Sequence, residues 1–182
     1  MPHVSVCLPK NASPQVVAVY EEFSTKMRFA SAPNFIMTQG HSPTAARGTW
    51  DLVRSVLVDG ELPRWTKEIM FVAISAERGC RYCKAAHIAC CRMLKVDPEW
   101  IDLAASNVAL IPDPKLRDMV LFALKCARAP QSLTQADYEV LRKYGLREDE
   151  IVEIICMAGL AVYANILADA TGMEEDPMFE AY

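Results

Sequence analysis

Apolar residues return along this chain at helical spacing. Val16, Val19, Tyr20, Phe23 and Met27 follow an i, i+3, i+4, i+7, i+11 rhythm, and Met119, Phe122, Ala123 and Cys126 repeat it later, so each group predicts the core face of a helix. From Glu148 to Thr171 the pattern is longer and more apolar. Ile151, Ile154, Ile155, Ala158, Val162 and Ile166 fall on one face, and Leu160 and Leu167 widen it. That helix is expected to be central or to lie in a subunit interface. Gly159 would let a neighbouring helix approach, at about 1 kcal/mol of helix propensity, and Gly172 supplies the C-terminal stop.

Polar punctuation marks the helix starts. Ser13-Pro14, Ser42-Pro43, Asp97-Pro98 and Asp113-Pro114 each place a capping side chain before a proline suited to the first helical position. Leu62-Pro63 and Gly79-Cys80 mark two further starts, and Thr134 with Asp137 forms an approximate capping box. No strand alternation, Gly-rich phosphate loop or fixed repeat accompanies them, which predicts an all-α bundle of about seven to eight helices. The chain is expected to form one domain over residues 1–182, its core spanning about 14–176. Residues 1–12 and the acidic Glu174-Glu175-Asp176-Pro177 stretch are expected to lie on the surface or against a neighbouring subunit.

Composition narrows the class. The 182 residues are 52 % hydrophobic, and the net charge of -4 with pI near 5.4 argues against a phosphate-binding surface, so no nucleic-acid partner is expected. The N-terminus lacks the pattern of a signal peptide, and no apolar segment is expected to reach the roughly 18 residues of a membrane span. The expected setting is therefore cytoplasmic, with no membrane partner. There a CxxC pair signals redox or metal chemistry, whereas Cys7, Cys90, Cys91, Cys126 and Cys156 are expected to be buried small apolar residues.

That pair is Cys80 and Cys83, followed one helical turn later by His87 and preceded by Glu68. In the first turn of a helix two such thiols fall inside the disulfide Cα range of about 4.4 to 6.8 Å. At about 100° per residue, Cys80, Cys83 and His87 span an arc of roughly 60° on one face. A free thiol, with a pKa of about 8.5, is only slightly ionised at neutral pH, and a helix N-terminus contributes about 0.3 to 1 kcal/mol, less than one pKa unit. His87 and Glu68 are therefore needed. Zinc is the rival chemistry, since Cys80, Cys83, His87 and Glu68 offer four ligands, although structural zinc sites usually draw on a second Cys or His pair. Cys91 shares the face but lies roughly 12 Å along the axis from Cys83, too far to bridge. Tyr82 either donates to the reacting oxygen or packs, Asn165 either buttresses the site or caps a carbonyl, and His3 and His41 have no partners at useful spacing.

The spacing of glutamate, eleven residues, CxxC, three residues, histidine in Glu68, Cys80, Cys83 and His87 resembles the alkylhydroperoxidase D-like (AhpD-like) branch of the carboxymuconolactone decarboxylase superfamily. Ala32-Pro33-Asn34-Phe35 with His41-Ser42-Pro43 is similar to the family's leading segment, and Tyr163-Ala164-Asn165 through Gly172 to its closing helix. The resemblance implies an AhpD-like helical bundle and a thiol peroxidase or disulfide reductase with no cofactor. It further implies that Cys83 attacks the peroxide and Cys80 resolves the sulfenic acid to a disulfide, whereas helix position alone favours Cys80 as the thiolate. In this mechanism Glu68 orients His87, which takes the dithiol's proton. Tyr82 stands where the best-known alkylhydroperoxidase D carries a relay histidine, and peroxidase-related members often have tyrosine there. The implied partners are a peroxide or organic hydroperoxide, a lipoyl or thioredoxin-like dithiol reductant, and further copies of the chain as a trimer or hexamer. Trp65, Phe71 and Tyr82 are near enough in sequence to line an apolar pocket. A non-catalytic zinc-binding helical module is the alternative function, and a carboxymuconolactone decarboxylase-type lyase a lower-ranked one.

Overall fold

Every predicted helix start is used in the computed structural model, which describes residues 1–181; Tyr182, the last residue of the expected domain, lies outside the described residues. The helices are α1 (Pro14–Met27), α2 (Asn34–Gln39), α3 (Pro43–Leu52), α4 (Arg64–Arg78), α5 (Arg81–Met93), α6 (Pro98–Ser106), α7 (Pro114–Arg128), α8 (Gln135–Lys143) and α9 (Glu148–Thr171), with no strand among the described residues. The architecture is all-α. Ser13, Ser42, Asp97 and Asp113 each accept from a backbone amide in the first turn of α1, α3, α6 and α7, and Thr134 with Asp137 closes a capping box on α8. The short α2 is the helix for which no start was predicted. A π-helical segment, Val53–Val58, continues α3.

At the centre lies α4, buried without interruption from Thr66 to Ser75 and packed against α5, α6, α7 and α9. Gly79, with φ of +74°, ends α4 and turns the chain directly into Cys80. This turn makes α4 and α5 neighbours and brings the two halves of the site together.

α9 is central as expected, but its inner face is only partly the predicted one. Ile151, Ile154, Met157, Ala158, Ala161, Ala164, Asn165 and Ala168 are buried, whereas Ile155 and Ile166 face outward beside Val152 and Tyr163. In a helix apolar nearly all round, periodicity cannot select the side that meets the core. Gly159 is exposed with open space where a side chain would stand, so within this chain it makes no close approach. Cys156 is likewise exposed, unlike the other six cysteines. Contrary to the sequence expectation, α9 does hold an 18-residue window, of mean hydropathy 2.0, long and apolar enough to cross a membrane, yet half of it is buried within the bundle.

The chain ends are tied down. The His3 and Val4 amides donate to the Thr171 carbonyl, and the Tyr20 hydroxyl donates to the carbonyls of buried Cys7 (2.9 Å) and Met37 (3.2 Å). Of the acidic stretch, Glu174, Glu175 and Pro177 lie on the surface as expected, whereas Asp176, like Phe179 after it, is buried.

A second tie joins α4 to α9. Lys67 is fully buried and its Nζ lies 2.6 Å from Glu153 Oε1, while the Glu61 and Leu62 amides donate to the same carboxylate. Glu153→Ala is expected to cost about 3 to 5 kcal/mol in urea unfolding, because it strands a buried ammonium. A much smaller loss would show that Lys67 reaches water.

Candidate active site

Glu68 on α4 and His87 on α5 meet across the helix pair. His87 Nδ1 lies 2.5 Å from Glu68 Oε2, and Arg64 Nε donates to Glu68 Oε1 at 2.9 Å. Glu68 has no exposed surface. Burial pushes its carboxyl up, but His87 and Arg64 together hold it below the usual carboxylate range. With Nδ1–H donated to a carboxylate, a neutral His87 ring carries its lone pair on Nε2. The ring stacks on Phe71, with centroids 3.4 Å apart and planes 13° from parallel.

Cys80 caps the start of α5 and Cys83 sits in its first turn, both buried and both thiols. The Cys83 side chain hydrogen-bonds to Cys80 sulfur and, with the Cys83 amide, lowers the Cys80 pKa against burial and the nearby Asp169. The same bond, together with burial, pushes Cys83 up. Asn165 contacts Cys83 and donates to Ser75 Oγ at 3.0 Å, so of its two predicted roles it takes that of buttress. Cys80 is therefore the easier of the two thiols to ionise, as helix position alone favours. Access belongs to Cys83.

Cys83 and His87 both line a partly open cavity of about 50 Å³ walled by Phe23, Phe29, Phe35, Phe71, Phe179 and Leu160; Cys80 does not. Such a space holds the reacting end of a small molecule, since one water needs roughly 10 to 15 Å³ by this measure. Phe71 and Tyr82 line it as expected. Trp65 does not, and pairs instead with Trp100, ring centroids 5.9 Å apart.

The Tyr82 hydroxyl donates to Asp176 Oδ2 at 2.7 Å and accepts from the Phe35 amide at 3.0 Å, while Asp176 also accepts from the Asn34 amide. Burial and the Asp176 carboxylate push Tyr82 well up, and burial raises Asp176 too. This hydroxyl is thus engaged away from the sulfurs. The residue inside the CxxC motif clamps both Phe35 and the Phe179 segment as cavity walls. Asp176 and Arg64 escaped sequence reasoning, although both carried a signal. Asp176-Pro177 is a further cap-and-proline pair, here opening the short 3-10 helix Pro177–Ala181, and Arg64 stands one turn before Glu68.

The carboxymuconolactone decarboxylase family model matches residues 43–125, which includes Glu68, both motif cysteines and His87. An alkylhydroperoxidase AhpD core structure from Ralstonia eutropha, an uncharacterized peroxidase-related protein, is 27 % identical, covers 98 % of this chain and 94 % of its own, and superposes with a TM-score of 0.89. Over the matched region and in its fold, this chain is similar to AhpD-like members of the carboxymuconolactone decarboxylase superfamily. An uncharacterized peroxidase-related protein from Silicibacter sp. is similar over 97 % of this chain and 94 % of its own, at 26 % identity and a TM-score of 0.84. The debrominase Bmp8, seen in complex with 2,3,4-tribromopyrrole, shares the fold at 20 % identity over 98 % of this chain and 94 % of its own, with a TM-score of 0.83. No curated protein matches the sequence.

In this chain the zinc set read from sequence does not assemble. Among the described residues, the ligand atoms that gather within 4.8 Å of one another are those of Glu68, His87 and Cys90, with Cys80 and Cys83 outside the group. Both Glu68 oxygens are already held by His87 and by the Arg64 cation.

Glu68 has a lowered folded-state pKa, so its stabilisation is present above the ordinary value of 4.5 and is lost as pH falls through the folded value. Glu68→Gln should be less stable than the parent at pH 7, with the gap in urea midpoint narrowing below pH 4.5. A gap that stays constant across that range would contradict an ionised Glu68. Tyr82→Phe is expected to cost about 1 to 3 kcal/mol and to speed proteolysis near Asp176, measured by urea unfolding and timed digestion, because Asp176 loses a buried donor.

Proposed function

We propose that this protein is a thiol peroxidase that reduces organic hydroperoxides with the Cys80/Cys83 dithiol, and that the same pair acts as a disulfide reductase when it exchanges with protein disulfides. The observation that carries the reading is that Cys83 and His87 face one apolar cavity while Cys80, the more readily ionised thiol, is hydrogen-bonded to Cys83 outside it. His87 Nε2 takes the Cys83 proton directly or through a water, with Glu68 orienting the ring and stabilising the imidazolium. Cys83 sulfur attacks the terminal peroxide oxygen. The S–O bond forms, the O–O bond breaks, and the alkoxide leaves as alcohol with the proton from His87. Cys83 is then a sulfenic acid, two electrons oxidised. Cys80 thiolate attacks that sulfur, the S–S bond forms, the S–O bond breaks, and the departing hydroxide takes up the proton that Cys80 released and leaves as water.

A dithiol partner of lipoyl or thioredoxin-like type returns the pair to thiols by exchange. The apolar walls favour an organic hydroperoxide over hydrogen peroxide, and the small cavity admits a larger one only if the Phe35 and Phe179 walls move. The exposed Val152, Ile155, Tyr163 and Ile166 on α9 support assembly with further copies, as a trimer or hexamer.

Treating the reduced protein with one equivalent of cumene hydroperoxide is expected to form a Cys80 to Cys83 disulfide within seconds, read by intact and peptide mass spectrometry. Cys83→Ser should stop the reaction, and Cys80→Ser should halt it at a Cys83 sulfenic acid trapped by dimedone. Thiols that stay reduced would end the peroxidase reading. One bound zinc per chain would then favour the helical zinc module, and carboxymuconolactone turnover without either cysteine would favour the lyase. Bromide release from a bromopyrrole would favour the chemistry named for Bmp8.

A further inference from the structure

The buried carboxylate of the relay has two oxygens, and only one of them holds His87. The other accepts from Arg64 Nε at 2.9 Å, one helical turn earlier on α4. The Arg64 side chain is 15 % exposed, and its Nη2 passes the carboxylate to end near Met27 Sδ at 3.4 Å and Cys90 Sγ at 3.9 Å. Thioether and thiol sulfur are weak acceptors, so this placement sacrifices hydration of the guanidinium in exchange for contact with Glu68. Arg64 is not itself a wall of the cavity, although Met27 and Cys90 are.

We propose that Arg64 is a positioning residue for the dithiol reaction, its fixed positive charge cancelling that of Glu68 so that His87 meets the carboxylate as a neutral ring with Nε2 free to accept a proton. A carboxylate with no exposed surface must be balanced by a nearby positive charge or take up a proton. Two groups touch it. Arginine stays charged at every pH a protein survives, whereas histidine changes charge near neutrality, so the permanent partner leaves the titrating one neutral. Without Arg64, the Glu68/His87 pair would retain one extra proton across its short bond. Whichever atom held it, His87 would no longer be a ready base.

The other groups facing His87 do not replace this charge. Around the cavity that His87 lines, its own helix α5 contributes the thiols Cys83 and Cys90 and the Tyr82 hydroxyl, which is bonded to Asp176, α4 contributes the Phe71 ring beyond Glu68 and Arg64, α1 contributes Phe23 and Met27, and α9 contributes Leu160 and Ala164. Both thiols have raised pKa values, Cys83 through its bond to Cys80 and Cys90 through burial. Neither supplies a cation.

The inference rests on His87 being the base for the dithiol, and the test separates it from the peroxidase reading. Arg64→Gln keeps an N–H donor and removes the charge, and Arg64→Lys keeps a charge. The His87 ring nitrogens of the reduced full-length proteins are followed by NMR from pH 5 to 9, alongside the rate of disulfide formation with cumene hydroperoxide. Arg64→Gln is expected to keep His87 protonated to higher pH than in the parent, and to move the acid limb of the rate profile upward with it, by about one pH unit. Near pH 6 that is about a tenfold loss of rate, and Arg64→Lys should recover most of it. In a Glu68→Gln background the Arg64→Gln change should shift neither readout. A folded Arg64→Gln protein with the parent's His87 titration overturns the proposal, as does an equal shift in the Glu68→Gln background. Should Arg64→Gln fail to fold, Arg64→Met and Arg64→Lys are compared by the same titration, and identical curves overturn it. A parent dithiol inert to hydroperoxide would sink the peroxidase reading while leaving the NMR result to decide the role of Arg64.

Discussion

A helix buried on every side can carry polar residues only if each finds a partner inside, and α4 meets that constraint three times. Lys67 is held by Glu153 of α9, Glu68 by Arg64 and His87, and Ser75 by Asn165 of α9. Each tie crosses to a neighbouring segment or fixes the side chain that does so. The core is therefore oriented as well as apolar, because rotating α4 would strand a charge with no water to receive it. The position of α5 against α4, and with it the distance from His87 to the dithiol, follows from this requirement.

Around the CxxC turn, charge and access are divided between the two sulfurs. Cys80 sits at the positive end of α5, accepts the Cys83 hydrogen bond and is the easier thiol to ionise, but it has no wall on the cavity. Cys83 faces the cavity and gives up its proton less readily. In the proposed reaction the cavity-facing sulfur is oxidised first, and the more readily ionised one, hydrogen-bonded to it, then resolves it. His87 is the group that reconciles them. It lines the same cavity and has its other nitrogen committed to a buried carboxylate.

The walls of that cavity come from far apart in the chain. Tyr82, between the two cysteines, bonds both the Phe35 amide and Asp176, so the leading segment and the C-terminal stretch close over the site through one hydroxyl. Phe179 then packs on the rings of Tyr82 and Phe29, with centroids 5.7 and 6.3 Å apart. The structure of the motif turn and the shape of the cavity are thereby coupled.

What the sequence determined by itself was local. Cap-and-proline pairs marked α1, α3, α6 and α7, apolar rhythm marked the inner faces of α1 and α7, and the spacing of Cys80, Cys83 and His87 put all three on one helix face, because each of these relations is set within a few helical turns. Only the tertiary structure decided which side of the uniformly apolar α9 is buried, that Ile155, Ile166 and Cys156 face outward, and that Asp176 is an anchor rather than part of a loose tail. It also decided which cysteine reaches the cavity and that Arg64 completes the Glu68 site. Those outcomes depend on what another segment brings to the same place, and burial and charge compensation are properties of that meeting rather than of any residue's neighbours in the chain.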